Sequence, residues 1–230
     1  MALVYSSADD DKRYYLKFLR PDRTAEAGIL AYLANIDSPD NHAIRPVAAR
    51  VCEKGTLLLL PHAGTPVRDY EDGHAHLVSF ASQFLRGVAF LHEHNVAHCD
   101  LKTRNVVVDP DTGRVTLIDF DLAVRGQDWL DGFTGTNGWA APEVGHVARY
   151  NAPKADVWSA GKVLHTVASN CPESADRAFL LELSDGMMAV DPNARPSMKT
   201  VVHSLDRYVN SHAGLVFPPV AAALAFKSRL

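Results

Sequence analysis

Apolar positions recur with two different periods along this 230-residue chain, and the change of period divides it. The run Arg13-Tyr14-Tyr15-Leu16-Lys17-Phe18-Leu19 is rich in β-formers and follows the acidic turn Asp9-Asp10-Asp11, which predicts a strand. Arg20-Pro21-Asp22 breaks it. Ile29, Leu30 and Leu33 then share one face with Glu26 a turn earlier, which predicts a short helix over 24–33. Leu57-Leu58-Leu59-Leu60 reads as a buried strand, ended by the linker Pro61-His62-Ala63-Gly64. Beyond it the period becomes helical. Leu77, Phe80, Ala81, Phe84, Leu85, Val88 and Leu91 hold an apolar stripe over four turns. Two short β runs, 105–108 and 114–118, flank Asp109-Pro110-Asp111-Thr112-Gly113 and predict a hairpin. Further helices are predicted over 153–169, 174–189 and 197–209, the first apolar almost all round and so a core helix. The pattern is α+β: a small β-rich lobe over 1–62, a larger helical lobe over 63–210, and a packed or frayed tail over 211–230.

Composition narrows the class without naming it. Hydrophobic residues at 47% and charged residues at 22% exclude a disordered or fibrous chain. A net charge of -4 carries no nucleic-acid footprint. No apolar run approaches the roughly 20 residues of a spanning helix, so no membrane partner is expected. The opening MALVYSSADDDKR is acidic where a signal peptide is basic and then apolar. Cys52, Cys99 and Cys171 are too few and too scattered for a disulfide framework. The expected setting is intracellular, cytoplasmic or nuclear.

Candidate chemistry is concentrated in two stretches. His98-Cys99-Asp100-Leu101-Lys102-Thr103-Arg104-Asn105 joins an acid, an amine and an amide just after the long helix. Asp119-Phe120-Asp121 places a carboxylate at the end of a β run, and the predicted hairpin returns it beside Asn105. One carboxylate and one amide are hard oxygen ligands, suited to Mg²⁺ held mainly by substrate phosphates. Asp100 can orient a hydroxyl, and Lys102 can neutralise a transferring phosphoryl group. Phosphoryl transfer depends on positioned charge of this kind more than on covalent chemistry. His92, His94, His98 and Cys99 also cluster in sequence as metal ligands do.

These residues resemble a known family. HCDLKTRN is similar to the H-R-D-L-K-x-x-N catalytic loop of eukaryotic protein kinases, and Asp119-Phe120-Asp121 to their D-F-G. Gly135-Thr136-Asn137-Gly138-Trp139-Ala140-Ala141-Pro142-Glu143 resembles G-T-x-x-Y-x-A-P-E. Asp156 to Gly161 resembles D-x-W-S-x-G, and Asp191 to Ser197 resembles D-P-x-x-R-P-[ST]. The five motifs stand in the family's order across about residues 13–209. The resemblance implies a bilobal protein-kinase-like fold and ATP as phosphoryl donor. By resemblance, Lys17 holds the nucleotide phosphates and is set by Glu26, while Asp100, Lys102 and Asn105 form the catalytic set. Asn105 and Asp119 bind Mg²⁺, Glu143 pairs with Arg195, and Asp156 caps the catalytic-loop backbone. Lys102 together with Thr136 points to the Ser/Thr branch, hence to protein substrates with Ser or Thr acceptors. His92 and His98 then fall on packing positions rather than on a metal.

Four departures from the family pattern bear on activity. The sixteen residues before Lys17 contain no glycine, so the resemblance implies an N-terminal lobe without the Gly-rich phosphate loop. Tyr15 stands where the family prefers a small residue over the adenine, and alternation puts it on the face of Lys17. Cys99 replaces the arginine that grips a phosphorylated activation loop, and Asp121 replaces the D-F-G glycine. The rival expectation is a pseudokinase, a binding or scaffold module with weak or no ATP turnover.

Overall fold

A computed structural model of the chain describes residues 2–5, 13–21, 25–69 and 76–212. The acidic turn at 9–11 and the tail segment 217–226 lie outside these residues. β1 (Ala2–Tyr5), β2 (Arg13–Leu19), β3 (Ala48–Cys52) and β4 (Gly55–Pro61) form one antiparallel sheet in the order β1-β2-β4-β3. β2 is the strand predicted around Lys17, and its register sets Lys17 opposite Leu58. β4 differs from the continuous buried run expected of four leucines. Leu58 and Leu60 are buried while Leu57 and Leu59 are only half-buried, because an antiparallel sheet covers one face and leaves the other wetter. α1 (Ala25–Ala34) buries Ile29, Leu30 and Leu33 in the same core as Leu58 and Leu60 of the sheet, and it also buries Glu26.

The helical lobe is built around α2 (Leu77–Glu93), whose Phe84, Leu85, Val88 and Leu91 are fully buried on the predicted stripe. It packs against α3 (Ala152–Ser169), α4 (Ala175–Met187) and α5 (Met198–His212). Each of these helices starts where its cap chemistry dictates. Asn151 accepts from the Lys154 N–H at 3.0 Å, Ser174 from that of Arg177 at 3.1 Å, and Ser197 from that of Thr200 at 3.1 Å. Gly161 lets α3 and α4 approach closely: a β-carbon there would stand 2.8 Å from that of Met187. No described helix is long and apolar enough to cross a membrane.

Short strands fix the loops that matter. β5 (Thr65–Pro66), β7 (Val106–Val108) and β8 (Val115–Leu117) form the predicted hairpin with one added strand. β6 (Val96–Ala97) pairs with β9 (Val124–Arg125), and β10 (Trp129–Leu130) with β11 (Tyr150–Asn151). The lobes are joined twice: by the linker after β4, and by the segment 41–44. There Ala43 bridges Leu117, the Ile44 N–H donates to Leu117 O at 2.9 Å, and the Leu117 N–H to His42 O at 2.7 Å.

Candidate active site

The catalytic loop leaves β6 through a sharp reversal. Cys99 adopts a left-handed backbone (φ 63°), strained for a residue with a side chain, and Asp156 of α3 holds it there. One oxygen of Asp156 accepts the N–H of His98 at 2.6 Å and the other that of Cys99 at 2.8 Å. His92 Nε2 lies 3.3 Å from the same carboxylate. The backbone N–H of Asp100 donates to His98 Nδ1 at 3.3 Å, which leaves His98 Nε2–H to donate to Ile118 O at 3.1 Å. The ring packs on Phe120, which is completely buried. The four residues that cluster as metal ligands in sequence are thus spread over separate structural partners. His94, the remaining histidine, turns to Phe90 O.

Asp100 itself is the centre of a charged triangle. Thr136 Oγ1 donates to one Asp100 oxygen at 2.6 Å, and Lys102 Nζ donates to the other at 2.7 Å and to Thr136 Oγ1 at 2.8 Å. Asn105 Nδ2 donates to the Asp100 carbonyl at 2.9 Å. With its amide nitrogen committed there, Asn105 offers its side-chain oxygen as a ligand. The predicted hairpin does its work: the Ile118 N–H donates to Asn105 O at 3.0 Å, so Asp119 follows directly beside the loop.

A second cluster forms across the lobes. Lys17 Nζ lies 2.8 Å from Glu26, 2.8 Å from Asp119 and 3.4 Å from Asp121. Asp119 also takes a left-handed backbone (φ 65°), which turns its carboxylate toward Lys17. Burial disfavours the charged Lys17, but its hydrogen bonds to Asp119 and Glu26 outweigh that and raise its pKa. Burial pushes Glu26 up more than Lys17 pulls it down, and Asp121 adds repulsion. Glu26, Asp119 and Asp121 bring one oxygen each within 4.8 Å of one another. Asp121 in the family's glycine position therefore joins the cluster. Its reach to Lys17 depends on a fold contact between distant segments, so no local pattern reveals it. Thr136 was legible only as a family marker, and its bond to Asp100 spans 36 positions.

Tyr15 lies on the same strand face as Lys17, two residues away, and its ring stacks on His62 with centroids 5.7 Å apart. The His62 N–H donates to Arg13 O at 3.0 Å, so the linker backbone is tied to β2. Farther out, Arg195, wholly buried, clasps Glu143 through two bonds of 2.7 and 2.8 Å, the predicted pair. It also reaches the carbonyls of Lys154 and Ala189.

The charge cluster at Lys17 draws together a β-rich lobe and the helical lobe that carries the carboxylate–ammonium–hydroxyl triangle, and the two lobes define a bilobal α+β fold. The model of the protein kinase domain matches residues 52–179. The chain belongs to the protein kinase family. It is 28% identical over 184 residues to "Probable serine/threonine-protein kinase KIN1 homolog" of Encephalitozoon cuniculi, covering 63% of this chain and 32% of that protein. To a Trypanosoma brucei brucei protein named as serine/threonine-protein kinase B it is 29% identical over 219 residues, covering 82% and 49%. To human "Mitogen-activated protein kinase kinase kinase 19" it is 39% identical over 105 residues, covering 42% and 8%. The chain spans at most about half the length of these relatives.

Proposed function

We propose that the chain transfers the γ-phosphoryl group of ATP to Ser or Thr hydroxyls of protein substrates in a Mg²⁺-dependent reaction. The observation that carries this reading is the triangle at Asp100. It already holds one threonine hydroxyl between a carboxylate and an ammonium, the environment an acceptor hydroxyl needs. In the reaction Asp100 orients the acceptor and accepts its proton, while Lys102 stays beside the transferring group. Lys17, set by Glu26, holds the phosphates of the donor. Asn105 and Asp119 would hold Mg²⁺: Asp119 is two-fifths exposed, both donors are hard oxygens, and the set suits that ion. Bound Mg²⁺ would supply charge neutralisation on the donor phosphates.

A second reading, a binding module with little ATP turnover, is favoured by one contact. The Tyr15 ring stacks on His62 two residues from Lys17, at the position where the resemblance implies a small residue over the adenine, and Lys17 is already bound by Glu26 and Asp119. Melting with ATP, Mg²⁺ and both separates the readings. Mg-ATP well above its Kd adds roughly 2–4 kcal/mol, and radiolabel transfer lost in Asp100→Asn would complete the case. Absence of any shift in the wild type would remove the phosphotransferase reading. A shift that appears only in Tyr15→Ala would establish the second.

A further inference from the structure

Asp121 carries a side chain at no cost in backbone strain, because its φ lies outside the left-handed region that Asp119 occupies. Its carboxylate reaches back to Lys17 at 3.4 Å and is about one-third exposed. That distance is too long for a good charge-assisted hydrogen bond, so Lys17 satisfies Asp121 poorly. Glu26 is only 1% exposed, and its Oε2 stands 2.8 Å from the Lys17 ammonium without receiving a well-aligned hydrogen bond. Glu26, Asp119 and Asp121 each bring an oxygen within 4.8 Å of the others, and Asp121 repels the Glu26 carboxylate. One ammonium thus faces three carboxylates, which leaves two negative charges uncompensated. The cations on neighbouring segments are committed elsewhere: Lys102 to Asp100 and Thr136, and Arg125 over the Tyr32 ring. A divalent cation matches this deficit, whereas a bare polyphosphate deepens it.

We propose that Asp121 is a specificity-determining residue that makes the Lys17 site admit donor phosphates only together with a divalent cation. The statement about phosphates rests on the reading that Lys17 holds those of ATP; the contact of Asp121 with the cation does not. Hard carboxylate oxygens crowded this closely repel one another, and a hard divalent cation relieves the repulsion that Lys17 alone leaves standing. Glycine, which the family pattern has at this position, offers no such oxygen. Without the Asp121 charge the deficit falls to one. Bare phosphates then meet less repulsion, while the cation loses a ligand, so the two affinities move in opposite directions. A carboxylate that only propped Lys17 in place would behave differently. Its loss would weaken phosphate binding alike with and without the cation.

Equilibrium binding to the full chain tests this with Asp121→Asn, which keeps the shape without the charge, and Asp121→Glu, which keeps the charge. The probes are Mn²⁺ alone, followed by electron paramagnetic resonance, and ATP with either EDTA or Mg²⁺, followed by calorimetry. Asp121→Asn should weaken Mn²⁺ binding roughly tenfold and tighten metal-free ATP binding by a similar factor, the effect of one unit charge in a partly exposed site. Asp121→Glu should stay close to the wild type in both. Equal Mn²⁺ affinity in the wild type and Asp121→Asn would overturn the proposal. So would an Asp121→Glu variant that loses Mn²⁺ as Asp121→Asn does. Where Mg-ATP binds, metal-free ATP affinity that Asp121→Asn leaves unchanged or lowers would overturn it too. If ATP binds under neither condition while Mn²⁺ still separates the variants, the donor reading falls and the cation contact of Asp121 stands.

Discussion

Lys17 carries one positive charge against three carboxylates, and the balance at this residue is set by geometry more than by number. Glu26 and Asp119 stand at hydrogen-bonding distance; Asp121, at 3.4 Å, adds field without a good bond. The folded pKa of Lys17 lies above the ordinary 10.5. Its protonated form therefore stabilises the fold fully below pH 10.5, and this contribution fades as pH rises through the folded value. Lys17→Met should cost about 1–3 kcal/mol at neutral pH, by leaving buried Glu26 without its partner. The gap between wild type and variant, measured by chemical denaturation, should narrow steadily above pH 10.5. A gap independent of pH would show that Lys17 stabilises through its methylenes rather than its charge. At this scale the sequence was informative where residues are contiguous. Asp100, Lys102 and Asn105 are recognisable from one loop, whereas Asp121 at Lys17 depends on a contact over about a hundred positions.

Elements with a strong period were readable, and those defined only by a partner were not. The stripe of α2 and the run of β-formers in β2 are written in local order, and both elements form close to the predicted bounds. β3 carries Ala48-Ala49-Arg50-Val51-Cys52 with all five residues exposed, so no alternation marks it. β6, β9, β10 and β11 are two residues each and exist because distant chain meets them. One such pairing has an effect on α1. Arg125 of β9 stands 3.4 Å over the ring of Tyr32, which also meets His94 edge-on. This stack fastens the helix that carries Glu26 to the strand that follows Asp121. Tyr32→Leu keeps apolar bulk and removes the ring face, so it should cost roughly 0.5–1 kcal/mol. The loss should appear as faster amide exchange in α1 with α2 unchanged, and Tyr32→Phe should restore protection. Equal loss in both variants would assign the effect to the hydroxyl instead.

At the scale of the whole molecule, the segment 41–44 decides how the two lobes are held. His42 is buried against β8 and α2. Its Nδ1 lies 2.7 Å from Val115 O, while Arg114 donates to Asn41 O at 3.0 Å. Gly87 of α2 permits the approach, since a β-carbon there would stand 2.8 Å from that of His42. Nothing in the sequence singles out His42, one histidine among 11, because its importance comes from what packs on it. Burial lowers its pKa below 6.5, with Arg114 opposing protonation and the Val115 carbonyl and Asp40 favouring it. The unfolded chain then binds the proton more readily than the folded one. Stability carried by neutral His42 is complete above pH 6.5 and declines as pH falls toward the lower folded value. Glu26 has the opposite sign: its raised pKa makes the fold gain relative stability as pH falls toward 4.5. Comparing wild type with His42→Gln separates the two, because Glu26 is common to both proteins. The wild-type advantage should be about 1 kcal/mol or more at pH 7.5, for one buried bond, and should shrink between pH 6.5 and 5. Because segment 41–44 joins both lobes, the shrinking advantage should appear in one cooperative transition, read alike by probes in the sheet and in α3. Two separated transitions in the wild type at pH 7.5, where His42 is neutral, would instead mean that segment 41–44 does not couple the lobes.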